Sequence, residues 1–122
     1  MRVLVIDDEE LVANTWVMIL QQAGHEAAAA YDGLTALKLV KSFQPEVVLS
    51  DVVMPKMNGI EVCSRIQADH PKCRIFLFSG QAATSGLVED ARSKGYTWEV
   101  LAKPVDPEEF LSKLASIEPL YT

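Results

Sequence analysis

The sequence predicts an α/β protein in three layers, with a five-stranded parallel sheet covered by helices on both faces. Short apolar runs recur along the chain, each bounded by turn or polar residues, which is typical of buried strands in a parallel sheet. Segments with apolar residues at helical spacing alternate with these runs. Connections are short and crossovers are right-handed, so helices are expected on both faces. The 122 residues suit one domain, which we take as residues 1–122.

The first strand, Val3–Ile6, leads into a helix over about Glu10–Ala23. An apolar face indicates that this helix packs on the sheet, and its members are Val12, Trp16, Ile19, Leu20 and Ala23. Gly24 supplies the C-terminal stop. Glu26–Ala30 holds consecutive alanines with little β-propensity, so we assign it as an edge strand by its context.

The middle and end of the chain repeat this alternation. The elements expected there are a helix over Thr35–Phe43, a strand over Val47–Ser50, a helix from Ile60 to about Ala68, a strand over Ile75–Phe78, a weak helix over Thr84–Lys94, a strand over about Glu99–Ala102, and a helix capped by Asp106. Turn and stop signals separate them at Asp32-Gly33, Pro45, Asn58-Gly59, Pro71 and Gly95. The first, third and fourth strands are the most apolar and should be central.

Composition excludes several classes of protein. The net charge of −6 disfavours direct nucleic-acid binding, which needs a basic face. Neither a secretory signal nor a membrane span is recognisable in the sequence. Cys63 and Cys73 lack the spacing of a metal site and are expected as reduced thiols. We therefore expect a cytoplasmic protein without a membrane or nucleic-acid partner.

Polar residues follow four of the apolar runs, at the point where each run ends: Asp7-Asp8, Asp51, Ser79-Gly80 and Lys103-Pro104. In open α/β sheets, ligands bind in the crevice outside the carboxyl ends of the strands. Each residue alone has an ordinary explanation, since a strand-end aspartate is usually a turn or a helix cap and a lysine before proline usually lies on the surface. Their joint occurrence favours one functional site.

The residue types in this crevice suit a divalent cation and a phosphoryl group. Magnesium is commonly held by one or two carboxylates, so Asp8 and Asp51 are candidate ligands with Asp7 in support. Asp51 could also attack phosphorus to form an acyl phosphate. Lys103 would neutralise the phosphoryl charge. Ser79 and the Gly80 N–H would donate hydrogen bonds to phosphoryl oxygens.

These motifs closely resemble the receiver domain of bacterial two-component response regulators, in the single-domain form found in chemotaxis. The resemblance covers nearly the whole chain, and both order and spacing fit. Its strongest parts are Val5–Glu9, Asp51–Pro55, Asn58-Gly59, Ser79-Gly80 and Lys103-Pro104. It implies the (βα)5 flavodoxin-like fold with strand order 2-1-3-4-5.

The resemblance also implies a role for each matched residue. Asp51 would accept a phosphoryl group from the phosphohistidine of a sensor histidine kinase or a phosphotransfer protein. Mg²⁺ would be held by Asp7, Asp8, Asp51 and the main-chain carbonyl of Val53. Lys103 and Gly80 would bind the phosphoryl group, Ser79 would be the switch hydroxyl, and the Lys103–Pro104 bond is expected to be cis. The protein would be a regulator that assists its own phosphorylation and dephosphorylation, not an enzyme with an external substrate.

The chain departs from the family at the switch position, where Val100 stands in place of the usual Tyr or Phe. The preceding stretch, Gly95–Glu99, is also one residue longer than usual. Trp98 or Tyr96 could replace the ring from a shifted position, or both could cover the sheet edge, since aromatic residues mostly serve packing. Family members tune phosphoryl lifetime at the positions of Val53 and Gln81, and this pair does not predict a lifetime.

The expected output is control of a downstream protein through the Thr84–Ser116 face, which comprises the fourth helix, the last strand and the last helix. A homodimer through the same face stays open. Two alternatives also remain. One is a phosphorylation-independent interaction module on a receiver scaffold. The other is a magnesium-dependent aspartyl-phosphate hydrolase, which typically needs an acid where Val53 stands.

Overall fold

A computed structural model describes residues 1–80 and 85–117. All ten predicted elements are present. They are β1 (Arg2–Ile6), α1 (Glu10–Gln22), β2 (Glu26–Ala30), α2 (Gly33–Phe43), β3 (Val47–Asp51), α3 (Gly59–Asp69), β4 (Arg74–Ser79), α4 (Ser85–Ser93), β5 (Glu99–Ala102) and α5 (Pro107–Ala115). Gln81 and Thr84, named above, lie outside the described residues.

The strands form one parallel sheet in the order β2-β1-β3-β4-β5, as the resemblance implies. The alanine-rich β2 is an edge strand, as expected, and pairs with β1 over its whole length. β1, β3 and β4 are the internal strands, which confirms the prediction drawn from their apolar runs. The three-layer α/β fold is therefore confirmed.

Alternate residues of each central strand face opposite sides of the sheet, which produces two core layers. One layer packs α2, α3 and α4 against a set formed by Leu4, Ile6, Val48, Ile75 and Leu77. The other packs α1 and α5 against Val3, Val5, Leu49, Phe76, Phe78 and Leu101. In this second layer, the Phe110 ring makes edge-on contacts with Trp16 and Phe76, with centroids 5.6 and 5.3 Å apart. Helices thus cover both faces of the sheet.

Capping residues define where several helices begin and end, and some of these boundaries differ from the predicted ones. Asp32 and Asn58, read as turn residues, are the N-caps of α2 and α3, and each side chain accepts a main-chain N–H in the first turn. Asp106 caps α5 as expected. The prediction that Ala23 packs on the sheet is wrong, because α1 ends at Gln22 and Ala23 is its exposed C-cap. Ala13 is buried on the inner face instead.

The two cysteines are buried free thiols, as predicted. Burial raises the pKa of Cys63 and Cys73 to about 12, so neither is an activated nucleophile near neutral pH. Among the described residues, we find no helix with the length and apolar character that crossing a membrane requires.

Candidate functional site

The strand register brings the predicted polar residues to one edge of the sheet. Asp51 and Ser79 are the last residues of β3 and β4, so these strands extend further than their apolar runs. Asp51 lies beside Phe78 of β4, and Ser79 lies beside Ala102 of β5. Because the strands are parallel, this places all four strand ends in the same crevice.

Three carboxylates meet in this crevice. Asp7, Asp8 and Asp51 each offer an oxygen, and these oxygens all lie within 4.8 Å of one another. Asp7 and Asp51 are buried, whereas Asp8 is exposed. We call these three residues the acid cluster. Val53 lies two residues beyond Asp51 in the loop that leaves β3, and its side chain is half exposed.

Asp7 is the most constrained member of the acid cluster. Its Oδ1 accepts the Glu9 N–H at 2.9 Å, but its buried Oδ2 has no hydrogen-bond partner among the described residues. Burial raises the pKa of Asp7 to about 6; the Glu9 N–H opposes this rise, and the nearby charge of Asp51 adds to it. A buried acceptor without a donor costs free energy. The site therefore suits a ligand that supplies positive charge.

Lys103 supplies a fixed positive charge. Its Nζ lies 3.1 Å from Asp51 Oδ1, and the same oxygen accepts the Val52 N–H at 2.9 Å. The Lys103 N–H donates to the main-chain carbonyl of Ser79 at 3.0 Å, which ties the start of this loop to the end of β4. The Lys103–Pro104 bond is cis, as expected. The structure thus brings Lys103 to Asp51 and holds its main chain beside Ser79.

Ser79 is buried at the end of β4, on the strand next to β3, and Gly80 follows it at the surface. Both residues lie at the same edge of the sheet as the acid cluster. Among the residues that the structure describes, an added Cβ at position 80 would meet no atom within 4 Å. The described residues therefore leave room for a ligand beside the Gly80 main chain.

Two residues that support Asp51 were not recognised from the sequence. The buried Ser50 hydroxyl donates to the Asp51 carbonyl oxygen at 2.9 Å. Gly59, the first residue of α3, donates its N–H to the Val52 carbonyl at 2.8 Å and leaves no room for a side chain against Asp51. The hydroxyl at the end of an apolar run was an available signal for Ser50. The Asn58-Gly59 pair indicated only a turn.

The region around Val100 separates the two aromatic residues from the crevice. Val100 is half-buried on the α3 and α4 side of β5. Trp98 precedes this strand, stacks on Tyr96 at a centroid distance of 4.4 Å, and donates its indole N–H to Gln67 Oε1 at 2.6 Å. Both rings therefore lie at the amino end of β5, whereas Lys103 follows its carboxyl end. They pack against the core layer on the α3 and α4 side of the sheet.

A model of the response regulator receiver domain matches residues 3–115 of the chain. The chain belongs to this family. Receiver domains of response regulators are phosphorylation-activated signalling switches of two-component systems, and they generally use Mg²⁺ at an acidic pocket. The family thus accounts for the presence of carboxylates at this edge of the sheet.

Curated relatives of this receiver domain include longer response regulators. It is 30% identical over 119 residues to the response regulator MprA of Mycobacterium avium, covering 96% of this chain and 50% of that protein. It is 31% identical over 113 residues to the DNA-binding response regulator MtrA of Mycobacterium tuberculosis, covering 93% of this chain and 48% of that protein. The chain spans about half the length of these relatives.

Solved structures include a match over nearly the full length of both chains. The chemotaxis protein CheY4 of Vibrio cholerae is 28% identical to this receiver domain, with a TM-score of 0.83. The match covers 96% of this chain and 98% of that chain. The arrangement of strands and helices is therefore that of a chemotaxis-type receiver.

Proposed function

We propose that this receiver domain, taken as one unit over residues 1–122, accepts a phosphoryl group on Asp51 and changes its outer surface in response. The observation that carries the proposal is the 3.1 Å contact between Lys103 Nζ and Asp51 Oδ1, made beside two further carboxylates. The donor would be a phosphohistidine on a sensor histidine kinase or on a phosphotransfer protein.

The acid cluster fits Mg²⁺ as the resident metal. Carboxylate oxygens are the hard ligands that Mg²⁺ prefers, and the unpartnered Oδ2 of Asp7 is a buried acceptor that a cation would satisfy. Asp7, Asp8, Asp51 and the Val53 carbonyl would hold the ion. When bound, it would supply positive charge that offsets the charge of the incoming phosphoryl oxygens.

The transfer itself needs little from the protein besides position and charge. A carboxylate oxygen of Asp51 attacks phosphorus, the phosphorus–nitrogen bond of the phosphohistidine breaks, and its electron pair stays on the imidazole nitrogen. Lys103 is already within ion-pair distance of Asp51, so its ammonium can follow the charge onto the phosphoryl group. The Ser79 hydroxyl and the Gly80 N–H would donate hydrogen bonds to phosphoryl oxygens.

The response would pass from Ser79 to the outer surface through β4 and β5, which pair directly at Ser79 and Ala102. Phosphorylation would bias an equilibrium between two conformations of this surface. Val100 cannot act as a rotating ring, so the response must differ here from that of receivers with Tyr or Phe. A downstream protein would read the α4–β5–α5 face, and the net charge of −6 disfavours nucleic acid as a direct partner of these residues.

Incubation with acetyl phosphate and Mg²⁺ is expected to add one phosphoryl group, detected by intact-protein mass spectrometry. Asp51→Asn should abolish the adduct, because an amide oxygen is a poor nucleophile. Asp90→Asn is the matched control, since Asp90 is an exposed residue of α4 that pairs with Lys94, and it should label like the wild type.

Failure to label with any phosphodonor would contradict the proposal and favour an interaction module that works without phosphorylation. Steady hydrolysis of added phosphoesters, without an accumulating adduct, would instead favour the hydrolase.

Beryllium fluoride with Mg²⁺, a mimic of the phosphoryl group, is expected to shift the ¹⁹F signal of 5-fluorotryptophan at Trp16 more than at Trp98. Trp16 lines a groove of about 480 Å³ together with Lys103 and Pro104, whereas Trp98 is fixed to Gln67 at the far end of β5. Trp98→Phe assigns the two signals by NMR. A larger shift at Trp98 would show that this ring takes part in the response and that the packing interpretation is wrong.

A further inference from the structure

Two depressions on the α2 and α3 side of the molecule join into one furrow. The first, of about 560 Å³, opens beside Asp8 between the loops that leave β2 and β3. The second, of about 400 Å³, lies between α2 and α3. Leu34 and Lys38 line both depressions, so the two are continuous. We call this feature the α2–α3 furrow; the residues that define it are Leu34, Lys38, Lys41, Lys56, Arg65 and Ala68.

The furrow has an apolar strip along α2. Leu34, in the first turn of the helix, is 62% exposed, and the half-buried Leu37 lies next to it. Ala68 of α3 forms part of the opposite wall, and its small side chain keeps the furrow open. Met57 adds an apolar group near the acid cluster. The furrow therefore offers a row of apolar contacts to a bound chain. A single exposed leucine would not indicate a binding site, because scattered apolar residues are common on protein surfaces.

Cations border this apolar strip. Lys38 and Lys41 follow Leu34 at four and seven residues, on the same face of α2. Lys56 and Arg65 add charge from the β3–α3 loop and from α3. The furrow thus collects four of the 11 lysines and arginines in a chain whose net charge is −6.

Lys38, Lys41 and Arg65 are available for a partner, whereas the charge of Lys56 also acts on Asp32. Within residues 1–80 and 85–117, none of the four cations of the furrow forms an ion pair, whereas Lys94, Lys103 and Lys113 each do. The acids that line the furrow lie towards its ends, with Asp8 and Asp69 at opposite ends. Asp32 is the N-cap of α2, and its Oδ1 accepts the Thr35 N–H at 2.7 Å. The middle of the furrow is therefore positive.

The wall of the furrow is closely packed beneath these side chains. A Cβ added at Gly33 would meet Val62 Cγ2 at 2.7 Å and Met57 Sδ at 2.9 Å, so α2 lies directly against α3 and its incoming loop. A partner would not have to pull the helices apart or order them. Preorganised surfaces of this kind lose less free energy on binding.

We propose that the α2–α3 furrow docks an acidic amphipathic helix of a partner protein. An apolar side chain of that helix would cover Leu34, and its carboxylates would lie against Lys38, Lys41 and Arg65. The helix-in-groove mode fits, because Leu34 to Lys41 spans two turns of α2, or about 10 Å. This surface is distinct from the α4–β5–α5 face.

The test is selection of peptides from a random library displayed on phage, with the full chain as the target. Enriched peptides should carry apolar residues at helical spacing flanked by Asp and Glu. Lys41→Glu should weaken their binding about tenfold or more, as measured by titration calorimetry. Lys41→Gln, which removes the charge with little effect on the helix, should weaken it less. Arg92→Glu reverses an exposed charge on α4 and should leave binding unchanged.

Three results would overturn the proposal. Enrichment could yield no acidic amphipathic peptides. The enriched peptides could bind equally well to Lys41→Glu and Arg65→Glu. Sedimentation could show a concentration-dependent dimer that Leu34→Asp abolishes, in which case a second copy of the chain occupies the furrow.

Discussion

Gly59→Ala is expected to lower the free energy of unfolding by about 3 kcal/mol, in the upper part of the range for overpacked sites. An added Cβ would fall on the Asp51 carbonyl oxygen and would lie 3.0 Å from Ser50 Oγ. A carbonyl oxygen of the main chain cannot rotate away as a side chain can. The start of α3 must therefore move from β3, which weakens the 2.8 Å hydrogen bond from Gly59 to Val52. Because Asp51 itself is displaced, phosphorylation should fall as well.

Urea unfolding followed by circular dichroism measures this loss, and Gly86→Ala is the control. Gly86 lies in α4, and a Cβ there would meet no atom of the described residues within 4 Å. Alanine is the better helix former, so this variant should equal or exceed the wild type in stability. If Gly59→Ala instead stays within about 0.5 kcal/mol of the wild type, the ordinary spread for a neutral substitution, then the close approach of α3 to Asp51 is wrong.

Asp7→Asn is expected to stabilise the metal-free protein at pH 7 by up to about 3 kcal/mol. In the folded protein, burial raises the pKa of Asp7 from 3.8 to about 6. The folded state therefore binds the proton more tightly than the unfolded state does. The resulting stability is fully present below pH 4 and is lost as the pH rises towards 6 and beyond. An amide at position 7 stays neutral, so this part of the pH dependence should vanish.

The measurement is the difference in unfolding free energy between wild type and Asp7→Asn at pH 5 and at pH 7, with and without Mg²⁺. Groups remote from Asp7 contribute equally to both proteins and cancel, whereas Asp51, Lys103 and Asp8 interact with Asp7, so their response belongs to the measured difference. Added Mg²⁺ should stabilise the wild type more than the variant, because binding to the folded state alone shifts its stability. Equal pH dependence of the unfolding free energy in the two proteins would show that ionisation of the buried Asp7 carboxyl does not destabilise the fold.

The sequence predicted most of the fold because its signals were local. Four apolar runs and their polar ends determine the strands, and parallel pairing then brings the ends of those strands together. Even β2, whose alanines have little β-propensity, could be assigned from its place between two helices. Lys103 could be assigned to the crevice for the same reason.

What could not be predicted depends on distances between elements. Asn58-Gly59 reads as a turn whether or not α3 approaches β3, so the close contact with Asp51 has no local signal. Asp7 and Asp8 both follow the same apolar run, yet only Asp7 is buried, and its Oδ1 accepts the Glu9 N–H. The absence of a ring at Val100 was visible from the sequence. The hydrogen bond from Trp98 to Gln67 was not, because these residues are far apart in the chain.

The direction in which β1 runs through the sheet has a practical consequence for handling the protein. Met1 precedes Arg2 at the amino end of this strand, whereas Asp7 follows Ile6 at its carboxyl end, about 20 Å away along the strand. A fluorophore or an affinity tag joined before Met1 would therefore lie at the amino ends of the strands, on the side of the sheet remote from Asp51. Surface capture through that end leaves the acid cluster open to a phosphodonor, so immobilised protein can be used for binding measurements with a kinase.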